Sequence, residues 1–561
     1  MGADLSTLTL RVIDRPFTNV PKMEPELEVD VAVLGSGAAG LVAAIAAADH
    51  GASVTVFEKS ELIGGTSAIS GGIIWIPNNH LQAEAGIADS RHEALAYFES
   101  LSLGQIDSDM AATFVDVGPE MLAHLDANTP CSFHLLPTYP DYHPEHPGGL
   151  AGGGRSIDNG LFAFGELEEW ADRIRVNRPN PVMLIETPLG GASEMPSSDT
   201  LVSRAAAGQN GMGLGLVGAL VRGCLDRGVT FRLGAAANHL TTSDQRVTGV
   251  QVVSEDHVIE VRASAVVLAT GGFEWNEELC RTFLRGPMSA PSGSPDSTGD
   301  GLVMAMEIGA RLGNMRNAWW VPVTRADGAQ KWGADRPHLV LLERTRPGSI
   351  MVNRSARRFC NEAGNYNAMG GVFHQFDPAT FDYPNLPAWL IFDHRHKTTY
   401  DVASCQAADP PAEWMVQAET VEGLAAQLDL DPVVLRLTVD KFNANARNGE
   451  DPDFQRGDSA YDAFNGDQSL DGIAATLGPL DRGPYYALPI ESGSLGTSGG
   501  PKTDTRCRVL SLGGGVIDGL FAAGNVMAAP TGMVYGGAGG TLGPAMTFGF
   551  IAGREAASAG T

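Results

Sequence analysis

A chain of 561 residues with 43% hydrophobic side chains is long enough for roughly two to four domains, each with its own core. Its 66 acidic against 38 basic residues leave a net charge of −28, which excludes a phosphate-backbone partner, because nucleic-acid binding is driven by clustered Lys and Arg. Cys131, Cys224, Cys280, Cys360, Cys405 and Cys507 are scattered, with no CxxC pair and no His cluster at metal-ligand spacing, so reduced thiols in a cytoplasmic protein and no metal centre are expected.

Residues 1–28 carry mixed charges and prolines without an apolar h-region, so they read as an N-terminal extension and not as a secretory leader. No run of about eighteen apolar residues follows, so no membrane span is expected. Val29 to Leu34 is a buried-strand run, Ala38 to Asp49 has helical composition, and Ser53 to Phe57 reads as a second strand. Between the first strand and the helix lies Gly35-Ser36-Gly37-Ala38-Ala39-Gly40, a GxGxxG sequence. Its first glycine makes the tight turn, its second admits a pyrophosphate, and its third lets helix and strand approach. Glu58, eighteen residues after Gly40, is the acid expected on a ribose hydroxyl.

The acid runs into Lys59 and then a glycine and hydroxyl loop, Gly64-Gly65-Thr66-Ser67 to Gly71-Gly72. A plain nicotinamide fold does not require this loop, which suits an extended FAD, so FAD is preferred over NAD. The loop holds no His, Cys or Tyr, so the flavin is expected to be non-covalent. Further on come a small-residue helix (Gly211 to Arg227), a strand (Val229 to Leu233), paired strands (Val247 to Ser254 and Val258 to Val261), and a buried run ending in Ala269-Thr270-Gly271-Gly272. That last run can return the chain to the first sheet beside the nucleotide, where Ala269, Thr270 and Gly271 meet the cofactor.

From Trp319 the character changes: Trp319, Trp320 and Trp332 appear, prolines increase and no second nucleotide fingerprint follows. The organisation expected is an α/β fold, with a Rossmann-like FAD-binding domain in two parts (29–320 and 490–561) and an inserted α+β capping domain (321–489). The stretch Trp319 to Ser349 is expected to be a lid or a peripheral membrane contact. Between Gly519 and Gly553 lie ten glycines in thirty-five residues with one ionisable side chain, Tyr535. Such glycines let backbone N–H groups approach a ligand, and equally suit ordinary turns and a tightly packed helix.

Together these pieces resemble the flavoprotein group that contains fumarate reductase and the 3-ketosteroid dehydrogenases. The markers are GSGAAG at Gly35 to Gly40, GGTSAISGG at Gly64 to Gly72, ATGGF at Ala269 to Phe273, STGDG at Ser297 to Gly301 and AAGN at Ala522 to Asn525. Asp300, Gly524, Asn525, Gly540 and Leu542 complete the cofactor contacts that this resemblance implies. Ser494-Leu495-Gly496-Thr497-Ser498-Gly499-Gly500 lacks the histidine of the dicarboxylate enzymes and is similar to the LGTxGG of 3-ketosteroid Δ1-dehydrogenases. Tyr139 to Gly149, Arg358 to Tyr366 and Tyr535 to Gly539 likewise resemble their YxxYxPExPGG, RFxNEx3Y and YxGPG segments, with Ala538 in place of a proline.

The resemblance implies 1,2-dehydrogenation of a 3-ketosteroid in steroid catabolism. Tyr366 would be the base for the α-proton, with Tyr142 beside it to stabilise a phenolate whose ordinary pKa is about 10. The Tyr535 hydroxyl and Gly539 N–H would polarise the ketone. A quinone or other carrier is the expected electron acceptor, and oligomeric state is left open. A Δ4-(5α)-dehydrogenase, a reductase of an unsaturated acid and a non-catalytic flavin-binding protein remain alternatives at this point.

Overall fold

The strand Leu27–Leu34 ends in four fully buried residues, and the helix Ala38–Asp49 behind it is buried over nearly its whole circumference. An all-round apolar helix must be covered on every side. In the computed structural model, which describes residues 26–559 and the short strand Lys22–Met23 apart from 177, 255–256, 327, 329 and 332–333, a sheet and two further helices cover it. The helix Leu542–Ser558 packs along it so closely that a Cβ at Gly553 would stand 2.1 Å from the Ala43 carbonyl oxygen. The helix Met212–Leu225 closes another side. Part of the terminal glycine content therefore serves helix packing.

The main sheet runs in the order Ala235–Ser243, Arg246–Ser254, His257–Leu268, Leu27–Leu34, Val54–Phe57, Thr230–Arg232. The strand Val516–Ala522 pairs on the other side of the carboxyl half of His257–Leu268. Four parallel strands end in register: Leu268 stands opposite both Leu34 and Ala522, and Leu34 opposite Phe57. Gly35, Glu58, Ala269 and Ala523 thus leave one sheet edge together, the place where open α/β sheets bind ligands. The two runs read separately as Val258 to Val261 and Ala265 to Leu268 form a single strand whose first half pairs with a hairpin and whose second half lies in the parallel core.

A second, mostly antiparallel sheet has the order His338–Leu339, Ala318–Thr324, Tyr485–Thr497, Ala388–Phe392, Ser349–Asn353. The helices Val421–Gln427 and Pro432–Asn448 cover one face around Leu424, Leu435, Val439 and Phe442. Tyr485–Thr497 spans the boundary expected at 489/490, and Ala318–Thr324 spans the one at 320/321. Long strands continue through a change of composition, so composition places such boundaries poorly. Ala318–Thr324 is buried at every residue, with Trp319 only 4% and Trp320 only 7% exposed. Neither tryptophan faces outward, so neither carries the membrane contact or lid expected of this stretch; Trp332 lies outside the described residues. Among the described residues no helix is long and apolar enough to cross a membrane.

Candidate active site

Where the parallel strands end, Gly35 has φ +103°, and a Cβ there would stand 2.4 Å from the Ala269 carbonyl oxygen. A side chain at Gly40 would meet the Gly35 carbonyl oxygen at 2.1 Å, whereas the face of Gly37 has only Ser67 Oγ at 3.6 Å and that of Gly71 is open. The tight turn, the ligand-facing glycine and the packing glycine are thus distinct positions, as the pyrophosphate-binding logic requires. The Glu58 carboxylate accepts the Ser36 N–H (3.0 Å), the Ser36 hydroxyl (2.6 Å) and the Ser60 N–H (2.9 Å). It therefore braces the glycine loop as well as lining the cleft. Ser67 Oγ accepts the Ala38 N–H, and Lys59 Nζ donates to Thr298 and to Asp300 at 2.7 Å.

One continuous cleft is lined by Gly35 to Ala39, Glu58, Lys59, Gly65, Thr66, Ser67, Gly71 and Gly72. Ala269, Thr270, Gly271, Asp300, Gly524, Asn525 and Leu542 also line it. Gly40 and Gly540 stand behind the lining: the first packs on Gly35 and the second on the Tyr535 ring. The buried Thr270 hydroxyl has no partner among the described residues. An open glycine cradle, a brace of hydroxyls and an orphaned buried donor are the features an extended dinucleotide fills. No His or Cys lies among the lining residues.

The same cleft continues to a group of tyrosines under the second sheet: Tyr139, Tyr142, Tyr366, Tyr461 and Tyr535. The Tyr366 hydroxyl donates to the Tyr535 hydroxyl at 3.1 Å, and Thr541 Oγ1 donates to the latter at 3.2 Å. The Tyr142 ring stacks on Tyr535 (5.5 Å, 11°) and meets Tyr366 and Tyr461 edge-on at 5.3 and 4.9 Å. Gly539, at φ +97°, lines the cleft, and its N–H has no protein partner among the described residues. Tyr139 also lines it, its ring tilted at 52° against Phe464, whereas Tyr485 and Tyr486 are buried in the second sheet.

Three loops carry Tyr139 with Tyr142, Tyr366 and Tyr535, the helix Ala460–Asn465 carries Tyr461, and cross-links fix the loops together. The Tyr142 N–H and the Tyr97 hydroxyl both donate to the Gly536 carbonyl, at 3.0 and 2.8 Å. The His143 N–H donates to the Tyr97 hydroxyl, and the His143 ring nitrogen Nε2 accepts from Asn365 Nδ2 at 2.8 Å. Asn365 must present its amino group there, because its carbonyl oxygen accepts the Ala368 N–H. The residues beside Tyr142 and beside Tyr366 are thus bonded to each other. Asp141 is held by Trp75 Nε1 and Arg155, both at 2.8 Å. In the RFxNE segment, buried Arg358 pairs with Glu362 and Asp451, while buried Arg344 donates to the Glu362 and Gly364 carbonyls.

Burial pushes the phenols of Tyr142, Tyr366 and Tyr461 well above the usual range and raises that of Tyr535. For Tyr366 the neighbouring Tyr535 adds to the rise, and only the Tyr142 hydroxyl draws it back. Desolvation outweighs the pull of the Tyr142 hydroxyl. His143, Glu145 and His146 bring donor atoms within 4.8 Å of one another at the rim, a group of His and Glu that the sequence reading passed over. Thr541, Tyr97, Tyr461, Trp319 and the His143–Asn365 bond were also missed, since each matters only through a partner far along the chain.

A family profile described as FAD binding domain matches residues 30–542. The chain is 38% identical to the 3-oxosteroid 1-dehydrogenase of Mycobacterium tuberculosis, over 94% of this chain and 97% of that protein. The chain belongs to the FAD-dependent 3-oxosteroid 1-dehydrogenase family of oxidoreductases. It is also 40% identical to the 4-oxocyclohexanecarboxylate 2-dehydrogenase of Sinomonas cyclohexanicum, over 95% of this chain and 93% of that one. Among solved structures it is similar to the 3-ketosteroid Δ1-dehydrogenase of Sterolibacterium denitrificans bound to 1,4-androstadiene-3,17-dione. There the TM-score is 0.88 at 32% identity, covering 95% of this chain and 99% of that one. FAD is accordingly the cofactor, and this chain is an FAD-dependent ketone dehydrogenase of that family.

Proposed function

We propose that the chain removes two hydrogens from the ring carbons beside the ketone of a 3-ketosteroid, forming the 1,2 double bond. The observation that carries this is the contact of the Tyr366 and Tyr535 hydroxyls at 3.1 Å, in the cleft that Gly539 lines and that also holds the cofactor cradle. A carbonyl oxygen and its α-carbon are only two bonds apart, so two touching hydroxyls can serve them separately. Tyr535 and the Gly539 N–H donate to the ketone oxygen and stabilise the charge that develops there. Tyr366 takes the α-proton on its phenolate oxygen, and the electron pair of that C–H bond moves into the enolate. FAD, when bound, supplies the acceptor for the β-hydride.

Tyr142 holds Tyr366 in place and favours its phenolate, while burial keeps most of it as phenol at neutral pH. The apolar wall of Ile73, Leu184, Leu189, Leu339, Leu341 and Leu495 suits a steroid body. A quinone or other carrier then removes the electrons, since the sequence has no second nucleotide fingerprint.

A second reading, dehydrogenation beside the ketone of a smaller oxocycloalkane acid, is favoured by the 40% identical relative and by Arg336. This arginine lines the cleft, its Nε donates to the Ser292 carbonyl at 2.7 Å, and burial followed by the charge of Arg175 lowers it to about 10. A cation in the wall of an apolar cleft is the chemistry that takes a carboxylate. Anaerobic mixing of the holoenzyme with each compound separates the readings. Loss of the flavin's visible absorbance with 4-androstene-3,17-dione, and none with succinate, is the expected result. Reduction by 4-oxocyclohexanecarboxylate alone would replace the first reading by the second.

A further inference from the structure

We propose that Trp319 is a positioning residue that fixes Asn525 on the cofactor side of the cleft and Tyr535 on the ketone side; this rests on the role proposed for Tyr535. Ala318 pairs with Thr497 and Trp320 with Ser494, so two residues, Leu495 and Gly496, stand opposite Trp319. Such a bulge re-aims the side chain facing it, and here it turns Trp319 into the site from a strand buried on both faces. The indole Nε1–H donates to Asn525 Oδ1 at 3.1 Å. That bond sets the amide orientation, leaving Nδ2 against Gly496, where a Cβ would stand 2.4 Å away. Asn525 lines the cofactor cleft in this fixed pose.

The indole ring also meets Tyr535 edge-on at 5.3 Å and 70°, on a ring that Tyr142 stacks on and Tyr366 meets edge-on at 5.7 Å. Tyr535 is therefore held among three aromatic rings, of which Trp319 is the one supplied by the second sheet. The next residue extends the device: the Trp320 N–H donates to Asn367 Oδ1 at 2.9 Å, beside Tyr366. Gly370 lies so close that a Cβ there would fall 2.2 Å from Trp320 Cγ. One strand of the second sheet thus registers the Tyr366 loop, Tyr535 and the cofactor segment against each other.

Two variants separate the indole N–H from the ring. Trp319→Phe keeps an aromatic edge and deletes the N–H, so FAD should leave the diluted holoenzyme about fivefold faster, the worth of one neutral hydrogen bond. Trp319→Leu also removes the ring and should lower kcat about fivefold with KM for the ketone unchanged, the worth of one edge-to-face pair. In a Tyr535→Phe background Trp319→Leu should cost nothing further. An unchanged FAD release rate in Trp319→Phe, or the same fivefold loss in both backgrounds, overturns the proposal. Should Trp319→Leu not fold, the release rate of Trp319→Phe decides alone. Near-normal turnover by Tyr535→Phe itself sinks the role of Tyr535, and the FAD arm still decides on Asn525.

Discussion

Replacing Tyr535 by Phe removes one oxygen from a ring that has little freedom to move. Tyr535 is 6% exposed and lies between the stacked Tyr142 and the edge of Trp319, so a phenyl ring fits the same space. In the folded protein the loss is two long hydrogen bonds, with Tyr366 and Thr541, at about 1 kcal/mol each. In the transition state it is a donor to a developing enolate, which costs about 3 kcal/mol, or roughly a hundredfold in rate. The two steps can be read apart by following exchange of the ketone's α-proton with D2O by NMR, with the flavin kept oxidised, alongside turnover. Tyr535→Phe should slow exchange and turnover by the same factor of about a hundred while retaining its full flavin content. Tyr366→Phe should abolish exchange. Exchange at the parent rate in either variant would refute the division of labour between the two hydroxyls.

Further outcomes follow from the burial of the site. Because desolvation holds Tyr366 well above the usual phenol value, kcat/KM should climb about tenfold per pH unit through neutrality and continue past about pH 10; a plateau below about pH 8 contradicts a phenolate base. Buried Glu274, which accepts the Thr497 N–H at 3.3 Å, is pushed up to about 7 by desolvation. Its folded value thus lies above its unfolded one, so its contribution to stability is complete below about pH 4.3 and is lost as pH rises through 7. Glu274→Gln should therefore gain in melting temperature relative to the parent between about pH 5 and 8, and a constant difference would show that the carboxyl does not titrate there. With no His or Cys in the cleft lining, acid denaturation should leave all the FAD in the supernatant; flavin on the precipitated chain contradicts non-covalent binding.

The cofactor side of the cleft was legible in the sequence because its chemistry is local. A strand, a GxGxxG turn, a helix and an acid at the end of the next strand lie within Leu27 to Glu58, and each glycine has a separate steric reason. The tyrosine side was legible only through resemblance. Tyr366 and Tyr535 are 169 residues apart, and the His143–Asn365 bond spans 222; side-chain partners at such separations leave no period or spacing to read. Tyr485–Thr497 and Ala318–Thr324 run straight through the expected domain boundaries, and these two strands also form the bulge opposite Trp319. A tryptophan pair beside prolines read as a lid or lipid contact; its burial comes from the sheet partners that Ser492 to Thr497 supply.

The central claim is tested most directly by one anaerobic turnover of 4-androstene-3,17-dione deuterated at C1 and C2, with the product read by NMR. The account predicts a 1,4-diene that has lost one deuterium from each carbon, in an amount equal to the flavin reduced. Reduced flavin with both carbons still fully deuterated, or a new double bond at another position, contradicts it.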